Sequence, residues 1–166
     1  LKDAGFRSVS VLDGGLYAWQ QAGKPLVGDP MAQARLDRMS AGELFAERLY
    51  TGWLVVDATA KGIPADLRKW LPGNIAPARQ KTANEQVAAI RAVVARQRQA
   101  NARLNVLVVA DSDARYERLD AALAKGGTGP VLYLEGGLSA YRAYVNQQVA
   151  MWAQQNQPPR FPSCRS

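Results

Sequence analysis

Apolar positions along this chain fall into short unbroken runs separated by stretches of helical period. Trp53–Ala58 (WLVVDA), Asn105–Ala110 (NVLVVA) and Pro130–Leu134 (PVLYL) are runs rich in β-branched residues, the pattern of strands buried on both faces. Between them the period changes. Ser40 with Glu43 three residues later forms a capping box for a short helix presenting Leu44, Phe45 and Leu49. Pro64 opens a brief helix with Leu67, Trp70 and Leu71 on one side. Val87, Ile90, Val93 and Val94 carry a longer helix from Ala83 to Ala100, and Leu119, Ala122 and Leu123 mark another. Leu138, Tyr141, Val145, Val149 and Trp152 stripe the last helix. Strands alternating with helices predict an α/β domain: an open, mostly parallel sheet with helices on both faces. Trp53, Trp70, Trp152, Tyr141 and Tyr144 lie on apolar stripes and are expected in its core.

One phrase occurs twice. "VLDGGLYAW" (Val11–Trp19) returns as "YLEGGLSAY" (Tyr133–Tyr141), and alignment on Gly14-Gly15 and Gly136-Gly137 brings Leu1 to Leu123, Gly5 to Gly127, Val9 to Val131 and Leu12 to Leu134. The spacing is roughly 120 residues, far beyond a solenoid repeat and close to one small domain. The expected organisation is a tandem one. Residues 1–26, with the strand "SVSVL" and a helix from Gly15 to Gln21, read as the strand-helix remnant of a first domain. Residues 27–35 read as a linker, 36–152 as a complete domain, and 153–166 as a polar, Pro-rich mobile tail. On this reading the partner of the complete domain is its preceding copy or another protein, and residues 1–26 offer a route to a homo-oligomer.

Composition narrows the chemistry. The net charge is +7, but Lys and Arg are spread along helices, and the densest stretch, Arg91 to Arg103, reads most simply as a solvated helix face. No aromatic residues interleave with it as a stacking platform, so the sequence does not point to nucleic acid. No apolar run approaches the roughly 20 residues of a membrane helix, and no membrane partner is expected. Histidine is absent and Cys164 is the single cysteine, which excludes Ser-His-Asp and Cys-His catalysis, internal disulfides and zinc sites built within the chain. No metal set and no cofactor is indicated. A lone thiol near the end reads as inert or as an intermolecular crosslink, and it does not distinguish cytoplasm from periplasm.

In an open parallel sheet the functional crevice lies at the carboxyl ends of the strands. "NVLVVA" ends there in Asp111, Ser112, Asp113, Ala114, Arg115 and Tyr116, a loop entering a helix. Its amide groups and the helix dipole favour an anion. Arg115 and Arg118 stand at the loop mouth, to meet an anionic partner or simply as a solvated first turn. Asp57 ends "WLVVD" either as a phosphoacceptor of receiver type or, more simply, as a carboxylate bonded to a neighbouring loop. Gly136 and Gly137 give a tight strand-to-helix turn that can border the pocket.

These segments together resemble the rhodanese-like domains. "MSAGELFAERL" is similar to their opening helix, "WLVVDAT" to the strand ending in Asp-x-Arg, and "LPGNIAPA" to their Gly-His-Ile-Pro-Gly-Ala segment. "VLVVADSDARYERLDAAL" is similar to the strand, active-site loop and helix, and "VLYLEGGLSAY" to the closing strand and Gly-Gly helix; the resemblance covers residues 36 to 150. It implies a six-residue loop that, in active members, begins with a cysteine carrying sulfur as a persulfide. Here Asp111 holds that position, Thr59 replaces the Arg, Asn74 the His and Pro77 the second Gly. A carboxylate cannot carry sulfane sulfur, but it can accept the loop amides itself, so Asp111 is expected to plug its own anion nest and no catalytic residue is assigned. The resemblance implies a catalytically inactive module acting as scaffold, regulatory or substrate-docking domain of a tandem protein. One alternative is the remainder of a thiosulfate-type sulfurtransferase whose cysteine lies in the absent first domain. Another is a Mg²⁺-dependent phosphatase using Asp111 and Asp113, since "DSD" is also similar to the Asp-x-Asp of haloacid-dehalogenase-type phosphotransferases.

Overall fold

The computed structural model describes residues 15–28, 36–124 and 128–155, with Gly5, Ser8, Ser10 and Leu12. Its centre is a five-stranded sheet in which every pairing is parallel. The strands are β1 (Arg38–Met39), β2 (Trp53–Asp57), β3 (Asn74–Pro77), β4 (Asn105–Val109) and β5 (Leu132–Leu134), in the spatial order β1-β5-β4-β2-β3. The helices are α1 (Gly15–Gln21), α2 (Ala41–Ala46), α3 (Ala65–Arg68), α4 (Ala83–Ala100), α5 (Asp113–Ala124) and α6 (Gly137–Gln155). The expected α/β class with a parallel sheet is what forms.

The unbroken apolar runs have a direct cause: β2 and β4 are covered on both sides. Leu54, Val56, Val106 and Val108 face α4 and α5, packing with Val87, Ile90, Val94, Tyr116 and Leu119. Trp53, Val55, Leu107 and Val109 face the other way, onto Leu44, Phe45, Leu67, Tyr141 and Val145 of α2, α3 and α6 and onto Leu71, just past α3. Successive strand residues alternate between the faces, so each side needs its own helices.

Local signals place the helix starts. Ser40 Oγ accepts from Glu43 N at 3.3 Å while Glu43 Oε2 accepts from Ser40 N at 2.8 Å. That exchange holds the Glu43 carboxyl below its ordinary range. Thr82 and Glu85 repeat the arrangement at the start of α4, a second capping box unmarked in the sequence reading. Leu49, expected on the apolar face of the first helix, instead sits exposed in a 3₁₀ turn (Glu47–Leu49) that ends it.

The sheet has two strands that the apolar pattern did not announce. β1 is two residues long, and its Met39 belongs to the strand rather than to the opening helix. β3 is an edge strand with both ends exposed, and it ends in proline, which a central strand would not tolerate. The last helix was expected to bury its whole stripe; Tyr141 and Val145 are buried, but Val149 and Trp152 remain partly exposed, at 42% and 37%. At 1.5 Å per residue α6 runs about 28 Å, while a five-residue strand spans about 17 Å, so its end passes the sheet. Trp152 there packs on Phe45 and Trp70.

The helix expected from Gly15 to Gln21 is α1. Gly15 and Ala18 line a cavity of about 620 Å³ together with Arg98, Asn105 and Leu132 at the amino-terminal edge of the sheet. Val9 and Val11 of the expected strand "SVSVL", most of the linker and the tail beyond Gln155, Cys164 included, lie outside the described residues, and Ser8, Ser10 and Leu12 are not in a strand. No described helix is long and apolar enough to cross a membrane.

Candidate functional site

Because all five strands run the same way, their carboxyl ends form one edge. Two loops meet there, one leaving β2 and one leaving β4, and the strands are in register with Asp57 opposite Val109. Ala58 N donates to Val109 O at 2.8 Å, so the loops separate only one residue beyond the ladder.

The β2 loop is organised around Asp57, which is 1% exposed. Its Oδ1 accepts from Thr59 N at 3.1 Å and from Thr59 Oγ1 at 2.5 Å, and its Oδ2 accepts from Ile63 N at 3.0 Å. Arg79, two residues past β3, brings Nε to 3.8 Å from Oδ2. A carboxylate this enclosed needs such a set of donors, and it leaves no oxygen facing solvent as a phosphoacceptor would. Asp57 is thus the loop-bonding carboxylate of the simpler reading. The cation beside it comes from Arg79; Thr59, at the position where the resembled signature has Arg, serves as a hydrogen-bond donor.

The β4 loop behaves differently. Asp111 does not turn back onto the amides of its own loop: Oδ2 accepts from Ala60 N, in the β2 loop, at 2.9 Å and lies 3.6 Å from Arg115 NH1. This corrects the expectation of a self-plugged nest. The cause is the pair of donors outside the loop, an amide across the crevice and a guanidinium one helical turn along. Ser112 and Ala114 are exposed, and Ser112 O accepts from Arg115 N at 3.3 Å. Asp113, the first residue of α5, accepts from Gly136 N at 2.8 Å through Oδ1. The Asp111 and Asp113 carboxylates therefore point to different neighbours and do not converge as a Mg²⁺ pair requires. Among the described residues no group of three or more His, Cys, Asp or Glu side chains gathers to hold a metal.

Tyr116 lies beneath the loop. Its ring is fully buried against Tyr133, with Arg38 stacked 5.2 Å from each ring centroid, and its hydroxyl accepts from Ala110 N at 2.9 Å. Burial pushes the phenol pKa above its ordinary value, the Asp113 and Asp111 charges push the same way, and the Ala110 bond and Arg38 oppose them. Tyr116 supports the loop from inside and does not reach the crevice.

Gly136 and Gly137 close the far wall. Gly137 has φ +63°, and a Cβ there would stand 2.7 Å from both Ala110 O and Asp111 O. Leu138 N, one residue on, donates to Ala110 O at 2.9 Å. The Gly-Gly turn thus borders the loop by direct backbone contact, which only glycine permits.

Gln86, on α4, is a site residue the sequence reading passed over. It is 2% exposed; Nε2 donates to Ala58 O and Ala78 O at 3.1 and 2.8 Å, and Oε1 accepts from Arg115 Nε at 3.3 Å. One amide ties the ends of β2 and β3 to α5. Its signal was available: Gln86, Ile90 and Val94 share one helical phase, so a polar side chain stood in a core position. Nothing in the sequence marked Arg79 or Ala60.

Among the described residues the crevice holds a structural carboxylate, a half-exposed carboxylate and a serine without a base, and no thiol. No protein-family model, curated protein or solved structure matches the chain.

Proposed function

We propose that this chain is a catalytically inactive rhodanese-like module that serves as a scaffold, regulatory or substrate-docking domain of a tandem protein. The observation that carries the reading is Asp111. It stands where the resembled loop begins, at the end of the central strand, and its carboxylate is engaged by Ala60 and Arg115. Support also comes from chain order: the resembling phrases fall on β2, on β4 with its loop and α5, and on β5 with the Gly-Gly start of α6. For the tandem part, Gly15 and Gly137 each open a helix with positive φ, 60° and 63°, in keeping with the repeated phrase.

The test is a thiosulfate:cyanide sulfurtransferase assay on the chain and on its Asp111→Cys variant. We predict background turnover for the parent chain, because no described group in the crevice can carry sulfur. The variant places a thiol among loop amides and a helix N-terminus, which favour the thiolate; attack on the outer sulfur of thiosulfate, with sulfite leaving, is expected to add one sulfur atom by mass. Clear turnover by the unaltered chain would defeat the reading of an inactive module; a variant that stays free of persulfide would defeat the reading of the loop.

A further inference from the structure

Beside the β4 loop, and sharing Arg115 with it, a cavity of about 240 Å³ opens between the first turns of α4 and α5. It is lined by Lys81, Ala83, Gln86, Arg115, Arg118 and Leu119. Three of these six side chains are cations and none is a carboxylate. Arg115 and Arg118, three apart on α5, share a helix face, and Lys81 precedes the capped start of α4, the positive end of its dipole.

Of the three cations only Arg115 has a paired carboxylate, and that pair is partly exposed. Gln86 Oε1 fixes Arg115 through Nε, and the one carboxylate near Arg115, that of Asp111, is 3.6 Å away and 49% exposed. Neither the Lys81 nor the Arg118 side chain has a hydrogen bond or ion pair among the described residues. Three like charges around one small volume repel, and a multivalent anion placed among them relieves that repulsion while accepting charge-assisted hydrogen bonds. Arginine suits oxyanions because its planar fork matches two oxygens at once.

We propose that this cavity binds the phosphate or diphosphate group of a small molecule. The volume lies below the roughly 300–1,000 Å³ of sites that enclose a whole drug-sized ligand, so the recognised part is the anionic group, with the rest of the molecule outside. The inference stands on these side chains and does not rest on the sulfurtransferase resemblance.

Titration calorimetry with pyrophosphate and with inorganic phosphate, at about 0.15 M salt to screen diffuse attraction, tests it. The chain is expected to bind pyrophosphate one to one, and more tightly than phosphate. Lys81→Gln/Arg118→Gln together should weaken pyrophosphate at least tenfold, about 1.4 kcal/mol. Arg142→Gln removes a charge from the exposed face of α6 and should change affinity less than twofold. Absence of one-to-one binding overturns the proposal, as does a double variant within threefold of the parent or an equal loss in Arg142→Gln. Should the double variant melt early, Arg118→Gln alone, at an exposed position, decides on the same tenfold criterion.

Discussion

Asp57 and Asp111 are the same residue type at the same edge of the sheet, at or just beyond the ends of neighbouring strands, yet they do different work. Asp57 is sealed, with both oxygens committed to Thr59 and Ile63 of its own loop and with Arg79 beside it. Asp111 is half-exposed and reaches into the other loop. The first makes its loop possible; the second only links two loops that other groups already shape. Burial, more than chemistry, separates an anchor from an adjustable position.

The contrast can be broken by substitution. Asp57→Ala is expected to have the largest effect, about 3 kcal/mol or more, because it strands the enclosed Thr59 and Ile63 amides without acceptors. Urea unfolding at neutral pH measures it, and a loss below about 1 kcal/mol would remove Asp57 from the role of anchor.

Tyr116→Phe should rank second, at about 1–2 kcal/mol, since the buried Ala110 N–H loses its acceptor. It also carries a pH signature. The folded chain holds the phenol neutral, so its contribution is complete below the unfolded value near 10 and is lost as pH rises from there towards the higher folded value. The alkaline limb of stability should therefore flatten in the variant, with a remainder from Tyr141, which burial shifts the same way. An unchanged limb would mean that the ring is wet.

Asp111→Ala should cost least, within about 1 kcal/mol, because its ion pair is exposed and water can replace the bond from Ala60. A loss equal to that of Asp57→Ala would collapse the comparison.

The same distinction explains what the sequence made legible. The three interior strands were readable because burial on both faces writes Trp53–Ala58, Asn105–Ala110 and Pro130–Leu134 as apolar runs, and Ser40 with Glu43 announced a helix start. β1 and β3 were not readable: a two-residue strand has no period, and Asn74–Pro77 is a strand chiefly because it pairs with β2. At the site, the loop itself was found from its place after β4. The direction of Asp111 was not, because it depends on Ala60, an alanine acting through its backbone, some fifty residues earlier in the chain. Arg79 was invisible because its guanidinium reaches Asp57 from beyond a different strand, β3. Gln86 was legible in principle, as a polar residue in a buried helical phase. Trp152 misled because periodicity reports a face and not where the sheet beneath it stops.

The contact of Gly137 with the carbonyls of Ala110 and Asp111 has a consequence for how this protein can change. The backbone path of the β4 loop is set from behind, by the Gly-Gly turn and by Asp113 on Gly136, and not by the side chain at its start. Residue 111 is thereby uncoupled from the shape of its own loop. Drift at that position alters what the crevice presents without asking the fold to adapt, and a designer inherits the same freedom: a preformed receptacle with one replaceable head group.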